Sequence, residues 1–299
     1  MTQHEEYDAV VVGGGPAGLQ ATLTLARVHR TVLMVDSGAY RNDPAHRMHN
    51  VVTHDGTPPA EFRAAARREL AAYATVTVRD DVVGSVARDG AGVVVRLGGE
   101  EVRSRGLVLA TGVVDTLPDK PGLAELFGSV VAHCPFCHGH ELAGGHVGVL
   151  GTAGAGHLPR LVGPIASRVT VYTDGEELSQ ELAAGLPAGV AVRRDRVTGL
   201  CPSPVGATLS FADGPSEEVA GLFVHTTLSQ RAPFAAQLGL ALNPSGCVEV
   251  DPMGRTSVPG VHAAGDMAHL AALPLPMASV ISAAASGQAA AGSLVALAL

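Results

Sequence analysis

Basic residues are in short supply. The 299-residue chain carries 20 Lys and Arg against 28 Asp and Glu, a formal charge of −8, with no run of Lys or Arg anywhere. The pI is near 5.9. Phosphate backbones and anionic lipid surfaces are held by concentrated positive charge, so neither nucleic acid nor a membrane surface is expected as a partner. Cysteine is scarce too. Of four in all, Cys201 and Cys247 stand alone and only Cys134 and Cys137 are close together. Zinc on that pair would need two more soft ligands at short spacing, so no metal is expected, although His138 and His140 keep the zinc reading open. A structural disulfide does not suit a chain without a secretory signature. Residues 1–7 hold neither an apolar signal core nor an Arg-rich amphipathic pattern, and the expected location is cytoplasmic. Charge is also missing from Ala278 to Leu299, a stretch of roughly 20 residues that could cross a bilayer by length alone. Ala, Ser and Gly dominate it and Gln288 interrupts it, so a buried, closely packed terminal helix beginning around Met277 is expected instead.

What the chain does contain is a pair of glycine-rich turns with a redox-type cysteine pair between them. The apolar run Tyr7–Val12 ends on Gly13-Gly14-Gly15-Pro16-Ala17-Gly18, an apolar-periodic segment follows from Leu19 to Arg27, and a second apolar run, Thr31–Val35, closes on Asp36. In such a strand–turn–helix–strand unit the first glycine permits the turn, the second admits a pyrophosphate against backbone, and the third lets helix pack on strand. The helix N-terminus faces the phosphates and the acid binds ribose hydroxyls. Gly13, Gly15, Pro16, Ala17 and Asp36 are therefore expected to bind a nucleotide. The signature recurs: a strand over His146–Leu150, the turn Gly151-Thr152-Ala153-Gly154-Ala155-Gly156, and a strand over Arg168–Tyr172 ending near Asp174. Gly13 to Asp36 and Gly151 to Asp174 both span 23 positions, which predicts two related Rossmann-like folds in an α/β protein. In the second copy Ala153 stands where the middle glycine belongs, and its methyl group crowds the pyrophosphate path.

Between these landmarks, a helix is expected near Ala60–Tyr73 and hairpin strands over Val76–Val95. A buried strand, Gly106–Leu109, should end in the small-residue turn Ala110-Thr111-Gly112, and Thr256–Asp266 should form a turn, a short strand and a Gly-Asp end. The segment Cys134-Pro-Phe-Cys-His-Gly-His-Glu141 allows two sulfurs to cycle between thiols and disulfide with little backbone movement.

Taken in order, the first glycine turn, Ala110-Thr111-Gly112, Cys134-x-x-Cys137, the second glycine turn and Thr256–Asp266 resemble the low-molecular-weight thioredoxin reductases over nearly the whole chain. The resemblance implies a homodimer, with an FAD domain made of residues 1–116 and 246–299 and an inserted NAD(P)-domain-like unit, 117–245, that carries the cysteines. It also implies FAD contacts at Gly13, Gly15, Pro16, Ala17, Asp36, Asn50, Thr111, Gly112, Gly265 and Asp266, with Ala278, Ser279 and Val280 near the isoalloxazine. Three departures stand out: His138 where that family has an acid, Thr173-Asp174-Gly175 where it has a His-Arg-Arg cluster for the 2′-phosphate of NADPH, and Ala153. The Cys-Pro-x-Cys-His-Gly-x-Glu pattern is similar to the branch that oxidises dithiols in sulfur-containing natural products, such as the gliotoxin and holomycin dithiol oxidases, with oxygen as acceptor and hydrogen peroxide as product.

What this branch implies is that Cys134 exchanges with a small dithiol substrate and Cys137 faces the flavin. A base would raise the reactive thiolate fraction, and His138 is the first candidate, with His140 and Glu141 in support. Two other readings remain at this point: a disulfide reductase using NADH or another reductant, and a non-catalytic flavoprotein redox sensor.

Overall fold

The computed structural model describes residues 6–298. Of the segments discussed above, residues 1–5 and Leu299 lie outside the described residues. The chain divides into two compact units. One takes the chain up to Arg41, Ala60–Val114 and the chain from Leu228 onward, and the other takes Asn42–Pro59 and Asp115–Thr227.

The first unit opens with β1 (Glu6–Val12), α1 (Pro16–Arg27) and β2 (Val32–Asp36), followed by α2 (Pro59–Leu70), β3 (Val76–Asp80), β4 (Val83–Asp89), β5 (Gly92–Leu97) and β6 (Glu100–Leu109). Strands β1 and β2 are buried on both faces, as their unbroken apolar runs require in a parallel sheet covered on both sides. The sheet runs β3-β2-β1-β6-β5-β4. The expected hairpins over Val76–Val95 reduce to one, β4 with β5, because β3 lies parallel to β2 instead.

Strand β7 (Val113–Thr116) crosses into the second unit, which continues with α3 (Leu123–Leu126), β8 (Val131–Ala132), α4 (Pro135–His138), β9 (His146–Leu150), α5 (Leu158–Val162), β10 (Arg168–Tyr172), α6 (Gln180–Gly185), β11 (Ala191–Arg193), β12 (Val197–Ser203), β13 (Gly206–Phe211), β14 (Glu217–Val219) and β15 (Gly221–Val224). Its parallel sheet has the order β11-β10-β9-β15-β8, and β12-β13-β14 form a separate antiparallel sheet.

The chain returns to the first unit through β16 (Thr227–Gln230), α7 (Phe234–Gln237), β17 (Val248–Glu249), β18 (Val261–Ala263), β19 (Ala268–His269) and α8 (Val280–Ala298). This return comes earlier than residue 246 because Phe234, Ala235, Leu238 and Leu240 are buried in the same core as Val10, Leu33 and Leu107. Strand β6 is long enough to share one edge between two partners. Residues 100–104 pair antiparallel with β5, and Leu107–Leu109 pair parallel with Val261–Ala263 of β18.

Helix α8 begins at Val280, three residues later than expected, because the Ser279 hydroxyl accepts the Ser282 amide at 3.0 Å and caps it. It is long and apolar enough to span a membrane, with a mean hydropathy of 1.5, and a third of that stretch is buried inside the protein. The buried face carries Ala283, Ala290, Ala291 and Leu294, packed in one core with Ala17, Leu19 and Leu25 of α1. Only this face is covered, since Ile281 and Leu297 are exposed. The contact is close because Gly287 has no side chain: a Cβ there would stand 2.1 Å from the Ala17 carbonyl oxygen. Gly287→Ala is therefore expected to destabilise the protein by about 1–3 kcal/mol, the strain of overpacking outweighing alanine's helix propensity. Gly292, on the same helix with open space around it, is expected to gain about 0.5–1 kcal/mol on the same substitution. Thermal unfolding of the two variants checks the opposite signs.

Candidate active site

In the first unit, Val12, Leu109 and Ala263 are in register across β1, β6 and β18. The three turns that follow these strands therefore meet at one sheet edge. That edge gathers Gly13, Gly15, Pro16 and Ala17, then Thr111 and Gly112, then Gly265 and Asp266. Gly13 has φ +113°, and a Cβ there would strike the Ala110 carbonyl oxygen, so only glycine fits. Gly15 is the N-cap of α1 and has no side-chain cap over it, and a Cβ at Gly15 would meet nothing within 4 Å. Open space in front of uncapped helix N–H groups suits a diphosphate. The Thr111 hydroxyl donates to the Met267 sulfur at 3.3 Å, the Gly265 amide donates to the Ser286 hydroxyl at 2.9 Å, and Asp266 pairs with Arg41 at 2.9 Å.

Asp36, at the end of β2, is buried. Burial opposes its charge, but hydrogen bonds from the Tyr40 hydroxyl, the Gly38 amide and Arg67 outweigh that and hold the carboxyl below the usual carboxylate range. Oδ2 accepts from both Tyr40 and Arg67, the latter at 2.5 Å. Oδ1 accepts from the Gly38 amide at 3.1 Å, so a ribose hydroxyl would share that oxygen. Asn50 belongs to the other unit. There it adopts φ +59°, and its amide donates to Asp55 Oδ1 at 2.7 Å.

In the second unit, Ala132 of β8 and Val149 of β9 both align with Phe223 of β15. The cysteine segment after β8 and the glycine turn after β9 thus leave the same sheet edge. Cys134 is the extended N-cap of the one-turn helix α4, and Pro135 supplies the fixed φ of its first position. The turn brings the Cys137 amide to the Cys134 carbonyl at 3.1 Å and the two thiol sulfurs to 2.8 Å. Both cysteines are half-buried thiols, and the Phe136 ring between them is 65% exposed.

His138 closes the turn. Its Nε2 lies 3.3 Å from the Gly128 carbonyl oxygen, which assigns the proton to Nε2 in the neutral ring and leaves Nδ1 as an acceptor. Nδ1 is buried and has no hydrogen-bond partner. Burial pushes the imidazole below its ordinary pKa. Gly128 and Glu141 push the other way, and His49 adds to the lowering. His138 is thus neutral near pH 7, with a buried, unpaired lone pair on Nδ1. His140 is exposed, at the start of the 3₁₀ turn His140–Leu142.

The second glycine turn is built differently from the first. Helix α1 starts directly after Gly15, whereas α5 starts only at Leu158, is five residues long, and is preceded by turns across 151–157. Pro159 in its first turn sets this late start. The Thr152 hydroxyl in the turn donates to Glu176 at 2.6 Å, so a carboxylate stands at the phosphate turn. Asp174 is engaged by Lys120 Nζ at 2.7 Å and the Val197 amide at 2.8 Å.

Sequence reasoning passed over His49. The segment Asn42–Pro59 packs in the second unit and carries His49 to Glu141, with Nε2 3.4 Å from Oε1. No periodicity marks this segment. The pairing is between residues far apart in the chain, and the only local sign was an unassigned histidine before Asn50.

The family model for pyridine nucleotide-disulphide oxidoreductases matches residues 7–290. A protein named thioredoxin reductase tcpT, from Claviceps purpurea, is 36% identical over 89% of this chain and 88% of its own length. Thioredoxin reductase sirT from Leptosphaeria maculans is 36% identical, covering 94% and 91%. Among solved structures, the protein HlmI superposes with a TM-score of 0.91 at 34% identity over 99% of this chain and 94% of its own. An oxidoreductase from Agrobacterium tumefaciens superposes with a TM-score of 0.90 at 33% identity over 98% of each chain. With a dithiol beside a neutral histidine and two Rossmann-like units, this chain is a thiol–disulfide oxidoreductase of the pyridine nucleotide-disulphide oxidoreductase family.

Proposed function

We propose that the protein is an FAD-dependent dithiol oxidase that closes an intramolecular disulfide in a small sulfur-containing natural product and passes the electrons to oxygen, with hydrogen peroxide as product. The observation that carries this reading is the contrast between the two glycine turns. The one in the first unit offers open space before helix N–H groups, while the one in the second sets Glu176 at the phosphate position and locks Asp174 to Lys120. A reductase needs a nicotinamide nucleotide to supply electrons at the second turn. An oxidase draws them from its dithiol substrate and does not.

The first-unit edge would hold the cofactor: Gly13, Gly15, Pro16, Ala17, Thr111, Gly112, Gly265 and Asp266, with Asp36 at the ribose. Ala278, Ser279 and Val280 at the start of α8 complete the contacts assigned in this unit, and Asn50, also assigned, belongs to the other. When bound, FAD supplies a two-electron acceptor that oxygen can reoxidise. The rest is the chain's own sulfur chemistry. With the enzyme pair oxidised, a substrate thiolate attacks Cys134, the Cys134–Cys137 bond breaks, and Cys137 leaves as thiolate. The second substrate thiolate attacks the substrate sulfur of the mixed disulfide, and Cys134 leaves as thiolate. The product is a cyclic disulfide, and its two electrons remain on the enzyme dithiol. His138 accepts a thiol proton at Nδ1, and His140 is a second candidate for this task. The exposed Phe136 ring gives an apolar small molecule a surface beside the sulfurs. A homodimer in the cytoplasm completes the reading.

Oxygen uptake across a panel of small dithiols is the test, with flavin content measured on the same preparation. Steady uptake with stoichiometric peroxide is expected, and flavin-loaded protein that consumes no oxygen with any dithiol would defeat the assignment. His138→Ala is expected to lower that rate by about 10²-fold with flavin content unchanged. Since the imidazole titrates below its ordinary value, the wild-type rate should fall only as the pH drops below about 6.5. The variant should regain activity as rising pH ionises thiols without help. A His138→Ala rate equal to wild type from pH 6 to 9 would remove the residue from the mechanism.

A further inference from the structure

Asn42–Pro59 is held as a compact loop. The Met48 amide bonds the Thr57 carbonyl at 3.0 Å, the Gly56 amide bonds the Met48 carbonyl at 2.9 Å, and Asn50 is tied to Asp55. The loop reaches the surroundings of His138 at two places. Pro44 packs so tightly on Gly128 that a Cβ there would lie 2.6 Å from it, and Gly128 is the residue whose carbonyl faces His138 Nε2. His49 is the other place. Its Nδ1 faces Asp55 Oδ2 at 3.5 Å and its Nε2 faces Glu141 Oε1 at 3.4 Å, so a protonated ring would pair with both carboxylates and link the loop to the cysteine segment.

We propose that His49 is a positioning residue for the thiol chemistry: seated between Asp55 of the loop and Glu141 of the cysteine segment, it holds the Glu141 carboxylate in the turn that carries His138. The proposal rests on the dithiol-oxidase reading for its purpose but not for its physical content. The cysteine segment, the loop and the α5 region carry other charged and titratable groups. His140 shares the turn with Glu141, and His133 stacks on Phe127 at 5.9 Å. Arg160 and His157 come from the α5 region, where Arg160 is bonded to the Gly185 carbonyl at 2.6 Å. Arg47, on the loop, is bonded to the Gly56 carbonyl. Glu141 favours the proton on His138, and His49, when protonated, opposes it.

The opposition gives the test a sign. Removing His49 takes away a group that, when protonated, opposes the proton on His138 and offsets Glu141, so His138 should hold its proton to higher pH. Glu141→Gln removes the attraction, so His138 should lose its proton at lower pH. Imidazole NMR titration of His138 is expected to move up in His49→Ala and down in Glu141→Gln, each by about half a pH unit, as for a partly screened charge several ångströms away. The acid limb of the dithiol-oxidation profile should move with it. His49→Gln keeps a donor for Asp55 while removing the charge, and it should shift His138 upward as His49→Ala does even if the alanine variant packs poorly. Shifts of the same sign in the His49 and Glu141 variants, or none, would overturn the proposal. If the shifts oppose each other but the wild type oxidises no dithiol, the functional reading fails and the electrostatic pair stands. If the wild type oxidises dithiols without those shifts, only this inference fails.

Discussion

Cys134→Ser and Cys137→Ser are each expected to abolish dithiol oxidation, by at least about 10³-fold, because neither sulfur alone can carry an electron pair as a disulfide. The sulfurs stand 2.8 Å apart across one helical turn. A serine at either position removes the bond that the substrate must break. The two variants should differ in a second measurement. With Cys134 as the exchanging sulfur, Cys137→Ser should still react with an aromatic disulfide reagent and retain the adduct, which mass spectrometry would place on Cys134. Cys134→Ser should react far more slowly. Flavin content should match wild type in both, since neither residue lies at the first-unit edge. Undiminished turnover in either variant would remove the cysteine pair from the reaction, and faster labelling of Cys134→Ser would exchange the two roles.

The second large effect concerns nicotinamide nucleotides. Under anaerobic conditions neither NADPH nor NADH at millimolar concentration is expected to bleach the bound flavin within seconds, whereas a suitable dithiol does so stoichiometrically. Several obstacles coincide at the second glycine turn. Ala153 adds a methyl group on the pyrophosphate path, α5 begins too late to aim its N–H groups at that turn, and Glu176 holds negative charge there. Asp174 offered NADH a ribose acceptor in the sequence. The structure gives that carboxylate to Lys120 and the Val197 amide instead. Glu176→Gln, by removing the charge opposed to phosphate, should improve nucleotide binding. Rapid stoichiometric bleaching of wild type by NADPH would return the protein to the reductases.

These two results draw unequally on what the sequence shows. The first nucleotide fold was legible because strand, turn, helix and acid are contiguous, and local periodicity governs all four. The equal spacing of Gly151 and Asp174 revealed a second sheet edge in the same way. It could not reveal that the helix behind the turn starts at Leu158, since Pro159 fixes the start while the glycine pattern suggests an earlier one. Strand β3 read as part of a hairpin because alternation reports a strand without naming its partner, and here the partner is β2. The terminal helix was visible in composition, but its single covered face follows from Gly287 against Ala17, a contact between distant segments. His49 was illegible for the same reason: Glu141, which gives it meaning, comes from another part of the chain.

The divided edge of β6 has a consequence for how the protein is made. Residues 107–109 have no neighbour on that side until Val261–Ala263 arrive, after the entire cysteine-bearing unit has been synthesised. During translation the first nucleotide fold can form around β1, α1 and β2, but the edge that carries Gly265 and Asp266 is missing, and α1 lacks the α8 face that covers it. A ribosome-stalled chain ending before residue 261 should therefore hold its dithiol unit folded yet retain no flavin. Cofactor capture becomes a late event, so a half-made chain presents its dithiol without an oxygen-reactive group.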